Sequence, residues 1–242
     1  KENRLFNERV NKISTHKLGE VFNINQGIVT GCDKAFVTKK YNERFKDYLK
    51  PFYKNKDIFK YNCIKENYFW IYYMDKNQSP ADELKEIFLP HKENLMKRRE
   101  AEKKQIEWWQ LSWARDREIM EGEKILVRCK TNFFAYSKGE FYGSADIYYL
   151  TLKDKNFNIF YILGYLNSDI FYRWYKNNGK HKGYNLEFYT TPLKEVPFFY
   201  PSEDKKDEIN YIENLVKEQI KNYSEDIQKK INEYFRKIYG SV

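Results

Sequence analysis

The chain has 242 residues, 41% hydrophobic and 19% aromatic, with a mean hydropathy of −0.87. That length allows one large domain or two small ones, so much apolar area argues against disorder, and no apolar run is long enough to span a bilayer. The net charge of +9 lies entirely in residues 1–203, because residues 204–242 carry eight basic and eight acidic side chains. A basic body with a neutral tail points to a polyanionic partner for the body and a packing role for the tail. A lysine-rich proteome would leave the same imprint. The chain starts at Lys1 rather than Met and has no apolar leader, so it reads as a piece of a longer polypeptide.

Residues 1–16 read as a polar helical lead-in or linker, 17–203 as one α+β body and 204–242 as a helical tail. Leu18 to Ile24 reads as a strand broken by Asn25-Gln26-Gly27. Ile28–Gly31 and Ala35–Thr38 continue as extended pieces around a tight Gly31-Cys32-Asp33 turn. Residues 41–60 read as a short helix and then a loop. Tyr68–Tyr73 is a run of β-formers that predicts a buried strand. From 82 to 107, Leu84, Ile87, Phe88, His91 and Leu95 keep helical spacing, with Pro90 as a kink. Strands are predicted at Lys124–Cys129 and Ile147–Leu152. Between them, Phe133–Tyr136, a Lys138-Gly139 turn and Phe141-Tyr142 read as a hairpin. Asn158–Lys176 carries apolar residues on several faces and predicts one core helix. Gly179–Gly183 is a glycine-bracketed loop. After Pro201 the period turns helical, and Ser224 ahead of Glu225 and Asp226 is an N-cap that divides the tail into two helices.

Most enzyme signatures are missing. Cys32, Cys63 and Cys129 are odd in number and far in sequence from His16, His91 and His181, which disfavours zinc and disulfides and makes a reduced, cytoplasmic setting the expectation. The ten glycines are scattered, with no GxGxxG, P-loop or GxSxG, and no two prolines are adjacent to grip an extruded base. Glu83-Leu84-Lys85 matches a nuclease tripeptide only locally and reads as a solvated helix face. No catalytic residue and no metal ligand is assigned.

Binding chemistry is better represented. Lys124–Gly139 holds no acid but includes Arg128 and Lys130, and Ile170–Leu186 holds no acid but includes Arg173, Lys176, Lys180, His181 and Lys182. Acid-free basic stretches suit phosphate contacts, each of which releases counterions. Gly179 and Gly183 would let the backbone approach a phosphate closely. A solvated lysine loop has the same composition. The Asn25–Asp33 loop offers Gln26, Thr30 and Asp33, an amide, a hydroxyl and a carboxylate of the kinds that read base edges. These residue types also serve turns for backbone reasons. Arg115 and Arg117 follow Trp108, Trp109 and Trp113. Arginine reads guanine or stacks on tryptophan, and Arg117 is the base-reading candidate of the two.

Several segments together carry a resemblance. They are Gly27-Ile28-Val29-Thr30-Gly31 with Ala35-Phe36; Lys56 to Tyr61; Trp108-Trp109-Gln110-Leu111; Leu163 to Ser168; Gly179 to Gly183 ahead of Thr191-Pro192-Leu193 and Val196-Pro197; and Tyr234 to Gly240. In this order, from Leu18 to the end, the chain resembles the TaqI-like C-terminal specificity domain. This is the DNA target-recognition domain of fused restriction-modification enzymes and adenine-specific methyltransferases, related to type I specificity subunits. The resemblance implies a twisted mixed β-sheet with flanking helices that reads double-stranded DNA and is catalytically silent alone. It implies no cofactor in this chain. An upstream methyltransferase domain of the parent would bind S-adenosylmethionine, with Mg2+ where the parent also cleaves DNA, and would flip adenine. A separate specificity subunit of a type I-like system and a structural domain docking on its own upstream neighbour are the competing readings. The salt dependence of DNA binding tells the docking domain apart.

Overall fold

A computed structural model describes residues 2–183 and 185–240. At its centre lies a four-stranded antiparallel sheet in the spatial order Phe22–Gln26, Ile147–Leu152, Lys124–Arg128, Phe134–Ser137. Successive residues of these strands enter different cores. Ile125, Val127, Phe134, Tyr148 and Leu150 face one, while Leu126, Ala135, Ile147 and Tyr149 face the other. A strand buried on both sides has no polar alternate, so Ile125-Leu126-Val127 and Ile147 to Leu150 read as unbroken apolar runs.

The first core is helical. Helices Glu2–Ile13, Ile159–Leu166, Asp169–Asn178, Lys206–Lys221 and Glu225–Tyr239 pack Phe6, Ile162, Phe171, Ile212 and Phe235 against the sheet. Ser224 accepts a hydrogen bond from the Ile227 amide and starts the last helix. The leading helix and the tail therefore share one core with the central sheet.

The second core lies between the other face of that sheet and a second sheet, ordered Val37–Thr38, Phe69–Tyr72, Leu49–Tyr53, Tyr142–Gly143. This sheet is mixed, because Leu49–Tyr53 runs parallel to Tyr142–Gly143 and antiparallel to Phe69–Tyr72. Short helices Asp82–Phe88 and Lys92–Met96 contribute Leu84, Phe88 and Leu95 to it. The sheets meet at Gly27. Its amide donates to Ile147 O at 2.7 Å, the Ile28 amide donates to Gly143 O at 2.8 Å, and a Cβ at 27 would lie 2.2 Å from Ser144 O. Only glycine lets the two backbones cross so closely.

The α+β class with flanking helices and a two-helix tail stands, but the described residues form two four-stranded sheets rather than one. Several local expectations change. Leu18–Val21 and Asp33–Phe36 are single helical turns, and the first long strand begins at Phe22. Residues 41–60 contain a strand, Leu49–Tyr53. Its Pro51 is tolerated because the second neighbour pairs only with Phe52 and Tyr53. Phe134–Ser137 and Tyr142–Gly143 do not form a hairpin, since they belong to different sheets. The single helix at Asn158–Lys176 breaks at Asn167-Ser168. The Asn167 amide clasps Phe134, accepting from its N–H at 3.3 Å and donating to its carbonyl at 2.9 Å, and Ser168 caps the next helix. Gly179–Gly183 is not an open loop, because Lys180–Lys182 pairs antiparallel with Asn185–Glu187. Glu83 lies on a helix, exposed and paired with Arg44, as a solvated face requires. Among the described residues no helix is long and apolar enough to cross a membrane.

Candidate nucleic-acid interface

A cleft of about 1030 Å³ opens beside the sheet junction, lined by Asn25, Asp75, Gln78, Trp113, Arg115 and Arg117 among others. Behind Ser112, one of its lining residues, sits a buried arginine. Arg98 is 8% exposed and donates to Leu95 O, Thr30 O and Trp108 O at 2.8–3.0 Å. It also donates to Ser112 Oγ at 3.4 Å, and its guanidinium lies over the Phe36 ring. Burial lowers its pKa. Carbonyls, not carboxylates, satisfy this charge, so Arg98 acts as a strut joining the 92–102 helical segment, the Gly27–Asp33 loop and the tryptophan segment.

The sequence-predicted base readers divide in two. Thr30 is buried, and its hydroxyl donates to Asp33 Oδ1 at 2.6 Å, so it shapes the loop. Gln26 donates to Ala145 O at 2.9 Å and accepts from Arg115 Nη2 at 3.3 Å, so both ends of its amide are engaged inside the protein. Asp33 and Arg117 keep exposed charged ends, 3.8 Å from Lys54 and Asp75 respectively. Arg117 also stacks on Tyr73. Sequence reasoning passed over Arg115. Its guanidinium lies 5.6 Å from the Trp113 ring centre, and the only signal for it was the arginine–tryptophan spacing.

The expected phosphate contacts also divide. Lys180, His181 and Lys182 are exposed on the 180–187 hairpin, and His181 Nε2 donates to Lys176 O at 2.8 Å. Arg128 and Lys130 belong to the same neighbourhood, because the Phe188 amide donates to Cys129 O. Arg128 Nε is buried with no hydrogen-bond partner among the described residues. Lys176 is exposed. Arg173 is instead turned to the leading helix, 3.4 Å from Glu2 and stacked on Phe6. Acids from outside this acid-free stretch reach it in space. Cross-strand register brings Glu187 to 3.9 Å from Lys180 Nζ, and the leading helix brings Glu2 to Arg173. The hairpin and the cleft are linked. Gln26 pairs with Tyr148, whose ring meets Tyr189, over which Lys180 Nζ lies at 4.8 Å.

With this geometry in hand, comparison with known proteins is decisive for lineage. Residues 50–198 match the model of the TaqI-like C-terminal specificity domain. The chain belongs to that family. The specificity-domain match spans Leu49–Tyr53 almost whole, the cleft segment 73–119, three central strands and the 180–187 hairpin, but it stops short of the Gly27–Phe36 motif. Among curated relatives, the type II methyltransferase M.HindII of Haemophilus influenzae is 28% identical over 235 residues, covering 89% of this chain and 45% of that protein. M.HincII of Haemophilus influenzae is 30% identical over 158 residues, covering 60% of this chain and 31% of that protein. This specificity domain therefore spans less than half the length of the curated relatives it matches. Solved structures share its fold. The Type IIL restriction-modification enzyme MmeI, solved in complex with DNA, superposes with a TM-score of 0.66 at 12% identity, over 93% of this chain and 34% of that one. The type IIG restriction endonuclease BpuSI superposes at 0.54 and 10% identity, over 98% of this chain and 33% of that one.

Proposed function

We propose that this specificity domain recognises double-stranded DNA by sequence, as the target-recognition part of a restriction-modification enzyme or N6-adenine DNA methyltransferase. The observation that carries the proposal is the family match over residues 50–198, which contain the basic hairpin and the lining of the cleft apart from Asn25. Methyl transfer is assigned to a domain outside this chain, which would be its intramolecular partner. S-adenosylmethionine, and Mg2+ where the parent also cleaves DNA, go with that domain. The residues here do not fit either group. The glycines are scattered through turns, a backbone crossing and helices, with no glycine cluster after a strand that would let a backbone close on S-adenosylmethionine. Among the described residues no group of three His, Cys, Asp or Glu side chains could hold a metal. Selection from a randomised duplex pool by the purified chain should enrich one sequence, with affinity falling steeply as salt rises. No enrichment, or methyl transfer by the chain alone, would overturn the proposal.

In this reading the 180–187 hairpin holds the DNA backbone through Lys180, His181 and Lys182, with Lys176, Arg128 and Lys130 beside it. Arg173, turned toward the leading helix, is the weakest member of the set. Lys180→Ala with Lys182→Ala should weaken specific and non-specific duplexes alike. The slope of log K against log salt should flatten by about one for each phosphate that the variant no longer neutralises. Because Glu187 already screens Lys180, most of the change should come from Lys182. An unchanged slope would make the hairpin merely solvated. Asp33, on a loop shaped by Gln26 and Thr30, and Arg117, at the start of the short helix Arg117–Glu121, carry the exposed base-reading chemistry.

A further inference from the structure

Resting on that reading, the geometry points to Arg115 as a guanine-reading residue of the cleft, with Gln26 as the residue that positions it. The first observation is backbone conformation. Arg115 has φ of +70°, in the left-handed region that a non-glycine side chain adopts only when its surroundings hold it there. The surroundings are specific. The Tyr73 hydroxyl, itself on a buried residue, donates to Arg115 O at 2.5 Å. Two residues earlier, Trp113 exchanges both backbone hydrogen bonds with Val29 at 2.9 and 3.1 Å. The chain thus turns abruptly just past a fixed bridge, and this turn brings the side chain back over Trp113.

The second observation is what fixes the guanidinium. Its Cζ lies over the Trp113 ring, 5.6 Å from the centre, and Trp113 is 51% exposed at the cleft wall. Nε donates to Gly27 O at 3.1 Å and Nη2 to Gln26 Oε1 at 3.3 Å. Gln26 is in turn tied to Ala145 O. Two of the fork's donors are used, and no protein partner bonds Nη1 among the described residues. The remaining N–H groups at the end of the fork form the pair that meets guanine O6 and N7. A guanidinium whose plane is already set loses little freedom on binding.

The third observation is the company it keeps. Asn25, Asn77 and Gln78 supply amides to the same cleft, and Asp75 and Asp116 supply acceptors. Such a mixture of donors and acceptors suits base edges. Acidic groups repel phosphates, so the cleft itself is not where the backbone is gripped. The basic hairpin beyond Tyr148 and Tyr189 fills that role.

The test is duplex-pool selection with the full chain carrying Arg115→Lys and Arg115→Gly. Glycine accepts the φ of +70°, so Arg115→Gly removes the fork without straining the fold, and circular dichroism checks that both variants stay folded. Preference for guanine at one position should fall by about tenfold or more in each, while the other positions and the salt slope stay unchanged. Gln26→Ala should relax the same position more mildly and add nothing in the Arg115→Gly background. Wild-type chain that selects no sequence would sink the DNA-recognition reading itself. Normal wild-type selection with unchanged preferences in both Arg115 variants would sink only the present inference. Uniform weakening with a flatter salt slope would also overturn it, as it would make Arg115 a phosphate-binding residue.

Discussion

Replacing Lys124 with methionine is expected to destabilise the domain by about 3–5 kcal/mol, more than any other single lysine change, with urea unfolding as the measurement. Lys124 is fully buried in the central sheet, and its ammonium donates to Met120 O, Gly122 O and Gly139 O at 2.6–2.9 Å. Two of these carbonyls end the short helix Arg117–Glu121, where a cation is favoured. The third lies in the turn after Phe134–Ser137. Methionine matches the volume but leaves three buried carbonyls without donors. Those bonds also explain why no hairpin forms. Tied to the end of the helix, and with the Phe141 amide donating to Met120 O, the chain is led away from Phe134–Ser137 and on to Leu49–Tyr53.

The same site carries a pH signature. Burial lowers the Lys124 pKa to about 8, against roughly 10.4 for a lysine in the unfolded chain. Between these values the unfolded chain binds more protons at this position than the folded one, so the contribution of Lys124 to stability rises with pH across that window. At about 1.36 kcal/mol per pKa unit, wild type should gain about 2–3 kcal/mol on Lys124→Met between roughly pH 8 and 10. Subtracting the variant removes the tyrosine titrations common to both. A gap that stays constant or narrows with rising pH would contradict this.

Loss of the Arg98 strut should cost nearly as much. Arg98→Met strips donors from Thr30 O, Leu95 O and Trp108 O, at about 3 kcal/mol. Gly31→Ala attacks the junction from the other side. Gly31 has φ of +74°, and a Cβ there would lie 2.4 Å from Ser112 Oγ and 2.5 Å from Arg98 Cδ. Left-handed strain of about 1–2 kcal/mol adds to that overlap. Because both changes act at one junction, the double variant should lose less than the sum of the two. Hydrogen exchange should quicken first in residues 27–33 and 108–113, the segments Arg98 joins. Fully additive losses, or exchange that quickens evenly over the whole chain, would show that Arg98 is no strut.

Much of this was legible beforehand for one reason: hydrophobic period is a local property. The tail helices, their Ser224 cap and the strands at Phe69–Tyr72, Lys124–Arg128 and Ile147–Leu152 can each be read from a few neighbouring residues. The order of the motifs led to the specificity-domain family, although several of the residues that carry the resemblance turn out to serve packing. Asn167 and Ser168 break and cap a helix, and Gly27 allows two backbones to cross.

The α+β class, the helical tail, the family and the basic character of the body follow from the order of the residues alone. Which strands pair and which charges remain available emerges on folding, because both depend on residues far apart in the chain. Leu49–Tyr53 finds Tyr142–Gly143, and Arg173 finds Glu2. A stretch without acids is neutral or charged according to what folds onto it, as Glu187 does onto Lys180 across a register that composition does not encode. Lys124 and Arg98 look like surface charges until three carbonyls close around each, and Arg115 becomes a candidate reader only once Gln26, Gly27 and Trp113 are assembled about it. Charge partners and hydrogen-bond acceptors act over a few ångströms of space, and a linear pattern holds no measure of that distance.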